Sequence, residues 1–175
     1  MIGTGYVGLV SGACFADLGN FVWCVDKNKE KIDLLNSNQI PFFEPGLEEL
    51  VSKNFSSGRL KFTTNLGLSV KNSDIIFICV GTPTSKKNHS ADLQQVFKAA
   101  TEVSKYINKF KIIVTKSTVP VTTGDKIEKL ISKKKRKVLF EVLSNPEFLR
   151  EGEAIRDFRF PDRIVVGSNL SLIHI

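Results

Sequence analysis

The chain has 175 residues, 42% of them hydrophobic and 25% charged, with a net charge of +7. That size and balance suit one globular domain around a single substantial core. No apolar run approaches the roughly 20 residues that a bilayer span requires, and three widely spaced cysteines, Cys14, Cys24 and Cys79, argue against a disulfide framework or a metal site.

In chain order, the first signal is Gly3-Thr4-Gly5-Tyr6-Val7-Gly8, which fits G-x-G-x-x-G. Helical spacing follows over 6–19, then an apolar run at 21–25 that ends in Asp26. The physical reading is a strand-to-helix turn. Gly3 permits the tight turn, Gly5 lets the backbone approach a pyrophosphate, and Gly8 lets the helix pack against the sheet. The free N–H groups of the helix start favour an anion. Asp26 lies 18 positions after Gly8, near the spacing of a carboxylate that holds the ribose hydroxyls. An acid there favours NAD over NADP, and the neighbouring Lys27 and Lys31 blur that preference. Only Met1 and Ile2 precede the turn. The first strand, central in the 3-2-1-4-5-6 order, is therefore expected to be largely missing and to leave a gap in the sheet.

Further helical patterns cover 27–37, 46–55, 66–71, 92–107 and 123–134, and further apolar runs cover 60–62, 75–80, 112–114, 138–143 and 163–166. Alternation of short β-rich runs with helical segments predicts an α/β fold, a Rossmann-like doubly wound parallel sheet covered on both faces. The basic block Lys133-Lys134-Lys135-Arg136-Lys137 reads as a solvated helix end and loop. No aromatic-basic interleaving points to nucleic acid, so no nucleic-acid partner is expected. No basic-then-apolar leader is visible, and a reducing cytoplasm is the expected setting. His89 and His174 have no ligand partner at metal spacing, and no metal is expected.

Four more segments carry a resemblance. They are Pro41-Phe42-Phe43-Glu44-Pro45-Gly46-Leu47, Val80-Gly81-Thr82-Pro83-Thr84, Lys116-Ser117-Thr118-Val119-Pro120, and Ser144-Asn145-Pro146-Glu147-Phe148-Leu149-Arg150-Glu151-Gly152. In this order, after the glycine turn, the chain resembles the UDP-glucose/GDP-mannose dehydrogenase family. Pro161-Asp162-Arg163-Ile164-Val165-Val166-Gly167 looks more like its UDP-glucose branch. The resemblance implies NAD-dependent oxidation of a nucleotide sugar to a carboxylate, in two hydride transfers, with a cysteine holding the aldehyde stage as a thiohemiacetal.

The resemblance also implies roles for individual residues. Gly3, Thr4, Gly5, Tyr6, Val7, Gly8, Asp26, Lys31, Val80, Gly81, Thr82, Pro83, Thr84, Ser117, Thr118 and Glu151 would bind cofactor. Glu147, Phe148, Leu149, Arg150 and Glu151 would contact the sugar nucleotide. Thr118 would place a catalytic water, and Glu147 would assist proton transfer; a partly dry cleft can raise such a carboxylate's pKa. The spacing alone instead reads Glu147 and Glu151 as an exposed pair on a helix. Thr122 and Thr123 are better placed than Thr118 to cap the helix that follows. Glu44-Pro45-Gly46 reads mainly as structural.

Residues 1–167 are thus expected to form a cofactor domain truncated at its start, and 168–175 an aberrant or truncated tail. The central helix and the sugar-nucleotide domain are expected to be absent, with the nucleophilic cysteine. Cys14, Cys24 and Cys79 read as small buried apolar groups. The chain alone is expected to be inactive and of low stability, with UDP-glucose or a related nucleotide sugar as the family's substrate. A complementary C-terminal half or a homo-oligomer is the expected protein partner, and no membrane is. The alternatives are an NAD-binding module without catalysis, or a dehydrogenase for GDP-mannose or UDP-N-acetylmannosamine.

Overall fold

The alternation of apolar runs and helical segments becomes a strand-and-helix succession. The structure, a computed structural model, describes residues 1–85, 90–134 and 140–168. The elements are α1 (Tyr6–Asp17), β1 (Val22–Val25), α2 (Lys29–Asn36), α3 (Leu47–Ser56), β2 (Leu60–Thr63), α4 (Leu66–Lys71), β3 (Ile75–Ile78), α5 (Gln94–Tyr106), β4 (Lys111–Thr115), α6 (Thr123–Lys134), β5 (Phe140–Ser144), α7 (Ala154–Arg159) and β6 (Gly167–Ser168). Local chemistry sets several starts. The Asn28 side chain accepts from the Lys31 N–H at 3.0 Å and opens α2, and Asn65 accepts from Leu68 N–H at 2.9 Å and opens α4.

Strands β1 and β2 pair in parallel with Val22 opposite Leu60. Strand β4 pairs in parallel with β3 on one side and β5 on the other. Ile2 joins the two groups, bridging Val25 and Ile78 in parallel. The order is then β2, β1, Ile2, β3, β4, β5, which is the doubly wound 3-2-1-4-5-6 arrangement with Ile2 in the place of strand 1. β6 adds an antiparallel edge, Gly167 opposite Ser144.

The expected gap is confined to one end of the sheet. Where the ligand-side loops leave, the two terminal residues complete the ladder. Ile2 N–H donates to Phe77 O at 2.7 Å, Cys79 N–H to Ile2 O at 2.8 Å, and Val25 N–H to Met1 O at 2.9 Å. The terminal ammonium of Met1 donates to Trp23 O at 2.7 Å. Toward the other end, a slot remains between β1 and β3, lined by Trp23, Val70, Ile75 and Ile76 among others.

Helices cover both faces. On one, Leu9, Val10 and Ala13 of α1 pack with Ile32, Leu35, Leu47, Val51 and Leu60. On the other, Val96, Ala100 and Val103 of α5 pack with Val70, Ile113, Ile127 and Ile131. Burial of each such aliphatic side chain contributes roughly 1.5–3 kcal/mol.

Three expectations need correction. The run 163–166 is irregular rather than strand, and the edge pairing starts only at Gly167. Ile164, Val165 and Val166 there are 74%, 42% and 56% exposed, so no second layer organises them. Glu147 and Glu151 are not on a helix: 145–150 is irregular and 151–153 a turn. Pro146 removes a donor and holds Asn145 extended, and the helix begins only at Ala154. Of Thr122 and Thr123, both expected near the cap of α6, Thr123 is already the first helical residue and its hydroxyl is buried without a hydrogen-bond partner. The predicted strand residues 138–139, most of the basic block, His89, His174 and the tail beyond Ser168 lie outside the described residues; Lys133 and Lys134 form the exposed last turn of α6.

Candidate cofactor site

The glycine turn shows a division of labour that the spacing implied. Gly3 has φ +99°, and a Cβ there would sit 2.8 Å from Cys79 O. A Cβ on Gly8 would collide with the Gly3 carbonyl oxygen. Those two glycines serve packing. Gly5 differs: it is exposed, has ordinary φ −70° as the N-cap of α1, and a Cβ there would meet nothing within 4 Å. The space above Gly5 is what an incoming phosphate needs.

That space continues into a cavity of about 460 Å³ at the carboxyl edge of the sheet. Gly3, Gly5, Asp26, Lys31, Val80 and Gly81, all predicted for the cofactor, line it together. Asp26 is prearranged at one end. Its Oδ2 accepts from Thr4 N–H at 3.0 Å, Thr4 Oγ1 at 2.9 Å and Lys31 Nζ at 3.4 Å, and its Oδ1 accepts from Asn28 N–H at 3.0 Å. Burial alone would raise its pKa. The Thr4 and Asn28 donors and the Lys31 charge outweigh that and hold the carboxyl below its ordinary value. Thr4 is fully buried, and both its N–H and its hydroxyl serve Asp26.

The remaining predicted residues sort by position. Gly8 is buried beneath the turn, and Tyr6 and Val7 are partly buried in the first turn of α1. Thr82, Pro83 and Thr84 belong to a loop whose ends meet, with Thr84 bridging Ala91 and Asp92 N–H donating to Pro83 O at 2.8 Å. Ser117 Oγ donates to Val80 O at 2.6 Å, and Thr82 Oγ1 donates to Thr118 O at 3.2 Å. These two bonds tie the loops after β3 and β4. Thr118 and Glu147 each lie three positions past the end of their strand, and those strand ends, Thr115 and Ser144, face each other. Both therefore belong to loops that leave neighbouring strands at the ligand edge, and neither lines the 460 Å³ cavity. Glu147 is half-buried, and its carboxylate accepts from Leu149 N–H at 2.6 Å. Phe148 and Glu151 are exposed, Leu149 packs against the α1 core, and Arg150 pairs with Asp157 at 2.7 Å.

Three features escaped the sequence reading. One face of α5, Gln95, Lys98, Ala99 and Glu102, lines the cavity opposite Asp26; its helical spacing was the available signal. Lys116, only 6% exposed, sends its ammonium to Asn145 Oδ1 at 3.2 Å. Burial lowers its pKa, while the nearby Cys79 and Glu147 partly counter that. The third is the anchorage of Glu44, which the sequence marked only as structural: it is 4% exposed and accepts three hydrogen bonds. A lone acid between Phe43 and Pro45 was its signal.

The comparisons with known proteins meet this geometry. The model of the UDP-glucose/GDP-mannose dehydrogenase family, NAD-binding domain, matches residues 1–171. The chain belongs to the UDP-glucose/GDP-mannose dehydrogenase family. Its α/β architecture is the family's Rossmann-like NAD-binding domain, and NAD is the cofactor that domain takes. The chain is 55% identical to the UDP-glucose 6-dehydrogenase of Rhizobium meliloti strain 1021, over 95% of itself and 38% of that enzyme. It is 50% identical to UDP-glucose 6-dehydrogenase TuaD of Bacillus subtilis strain 168, over 96% of itself and 36% of that enzyme. Among solved structures, a UDP-glucose dehydrogenase from Pyrobaculum islandicum superposes with TM-score 0.92 at 40% identity, covering 97% of this chain and 40% of that one. A ternary complex of GDP-mannose dehydrogenase from Pseudomonas aeruginosa gives 0.90 at 41%, covering 95% and 40%. The chain therefore spans under half the length of the family members it matches.

Proposed function

We propose that this chain is the cofactor half of an NAD-dependent UDP-glucose 6-dehydrogenase. The observation that carries the reading is the cavity above Gly5, closed at one end by a prearranged Asp26. Gly5 and the free N–H groups of α1 hold the pyrophosphate, and Asp26 accepts from the adenosine ribose hydroxyls. NAD, when bound, supplies the hydride acceptor. Thr118 and Glu147, in the loops beyond β4 and β5, orient water and move a proton at the oxygen on the sugar's reacting carbon. Identity to two UDP-glucose 6-dehydrogenases favours UDP-glucose. The likeness to a GDP-mannose dehydrogenase makes GDP-mannose the second reading.

In this reading the chain by itself binds NAD and turns over no sugar. The family's chemistry needs a thiolate beside the sugar. Burial pushes Cys14 up to about 12, Cys24 to about 11 and Cys79 to about 12, and all three are at most 8% exposed. None is a nucleophile at neutral pH. Calorimetric titration with NAD tests the first half: saturable one-to-one binding is expected, and its absence removes the reading. NADH absorbance with UDP-glucose, and separately with GDP-mannose, tests the second. Neither sugar is expected to yield NADH, and steady turnover with UDP-glucose would show that one of these thiols, or another group, does the work.

A further inference from the structure

Glu44 is buried at 4% exposure with no cationic partner among the described residues, a costly place for a charge. What it holds explains the cost. Its Oε2 accepts from the Tyr6 hydroxyl at 2.5 Å and from Gly152 N–H at 2.8 Å, and its Oε1 accepts from Ala154 N–H at 2.8 Å. The Tyr6 hydroxyl also reaches Arg150 O at 3.4 Å, and the Tyr6 ring packs on Phe42 with centroids 5.3 Å apart. Tyr6 is the first residue of α1, directly after Gly5. Gly152 directly follows the segment 147–151. One carboxylate therefore joins the start of the cofactor helix to the segment that the resemblance assigns to the sugar nucleotide. Three convergent donors fix the orientation of the segments they come from.

We propose that Glu44 is a positioning residue that couples occupation of the glycine turn to the placement of 147–152. The coupling rests on the proposed NAD site. An anion at Gly5 draws on the N–H groups of the first turn of α1, which include that of Tyr6, and the phenol passes any shift to Glu44 and so to Gly152 and Ala154. Burial, then the Glu44 hydrogen bond and charge, hold the Tyr6 phenol above its ordinary value, so it stays a donor throughout the working range.

Amide-resolved NMR of the full chain tests this during an NAD titration. In the unsubstituted chain, the amides of Gly5 and Tyr6 and those of Gly152 and Ala154 are expected to shift along one saturation curve. In Glu44→Gln, the first pair is expected to shift as before while the second pair responds at least threefold less. An undiminished response at Gly152 and Ala154 overturns the proposal, because a merely structural glutamate would leave the ligand response intact. If Glu44→Gln does not fold, Tyr6→Phe, which deletes one hydroxyl, is read in the same way. If NAD shifts neither pair in the unsubstituted chain, the cofactor reading falls by itself. The link is then read without ligand: Tyr6→Phe must move the Gly152 and Ala154 amides, and unmoved amides overturn it.

Discussion

The two ends of the ligand edge are built differently. Around the glycine turn the frame is anchored internally and only Gly5 is left open: Gly3 and Gly8 pack against backbone, Thr4 is buried, and Asp26 takes four donors. Around Thr118 and Glu147 the chain is open, with Phe148, Ile164 and Val166 more than half exposed. A site for recognition can be completed by a single domain, since a dinucleotide needs only a turn, a helix start and one acid. A site for chemistry must exclude water and hold reacting atoms closely, and the open edge does neither. The proposed division into binding without turnover follows from that contrast.

The sharpest way to break the comparison is Gly8→Ala. The added Cβ meets the Gly3 carbonyl, a backbone atom that cannot rotate away. Destabilisation of about 3 kcal/mol or more is expected, visible as a large drop in melting temperature or as loss of folded chain. A melt within a degree of the parent would show that the turn is looser than the packing implies.

Glu44 and Asp26 come next, through pH. Both carboxyls are held below their ordinary values of 4.5 and 3.8, because their donors outweigh burial. A depressed carboxyl stabilises above its unfolded pKa, and that stability disappears as pH falls through the folded value. The parent is therefore expected to lose stability on acidification below about pH 4.5, in urea melts taken across pH 2–6. Glu44→Gln is expected to lower stability at pH 7 by roughly 1–3 kcal/mol and to flatten that acid limb. An unchanged acid limb would place its origin elsewhere.

Gly5→Ala separates binding from folding. Its Cβ meets no protein atom within 4 Å, so the melting temperature is expected to hold. NAD affinity is expected to fall about tenfold, roughly 1.4 kcal/mol, because the methyl occupies the phosphate's approach. Together with Gly8→Ala this gives opposite outcomes for two glycines of one motif. Equal outcomes would erase the distinction drawn from their surroundings.

Legibility in the sequence follows the same contrast. The strand-and-helix order and the turn were readable because periodicity and glycine spacing are local signals; α4 and α6 fall on the predicted ranges. Glu44 was not readable in its role, because its partners Gly152 and Ala154 are 108 and 110 positions away. Lys116 was hidden for the same reason, its partner Asn145 coming from the neighbouring strand's loop. The run 163–166 misled in the other direction. Its β-branched residues have strand propensity, yet their side chains stay largely exposed, and propensity without a neighbouring layer does not make a strand.

The smallest expected effect concerns the slot between β1 and β3. Ile2 closes the ligand end of the sheet, and the opposite end is lined by Trp23, Val70, Ile75 and Ile76. Ile75 is 50% exposed there although it sits in a strand that pairs with β4. A strand laid in that slot would hydrogen-bond on both sides and cover Ile75. Extending the chain before Met1 by four β-branched residues is expected to add about 1 kcal/mol and to raise the melting temperature by roughly 2–4 °C. An equally long glycine-serine extension has the same backbone donors but no side chains to bury and more freedom to lose, so little gain is expected from it. The slot lies toward the opposite end of the sheet from the glycine turn, so NAD affinity is expected to stay the same. A gain in affinity together with stability would mean that the slot and the turn communicate, and that the ligand edge is less self-sufficient than its internal bonding suggests.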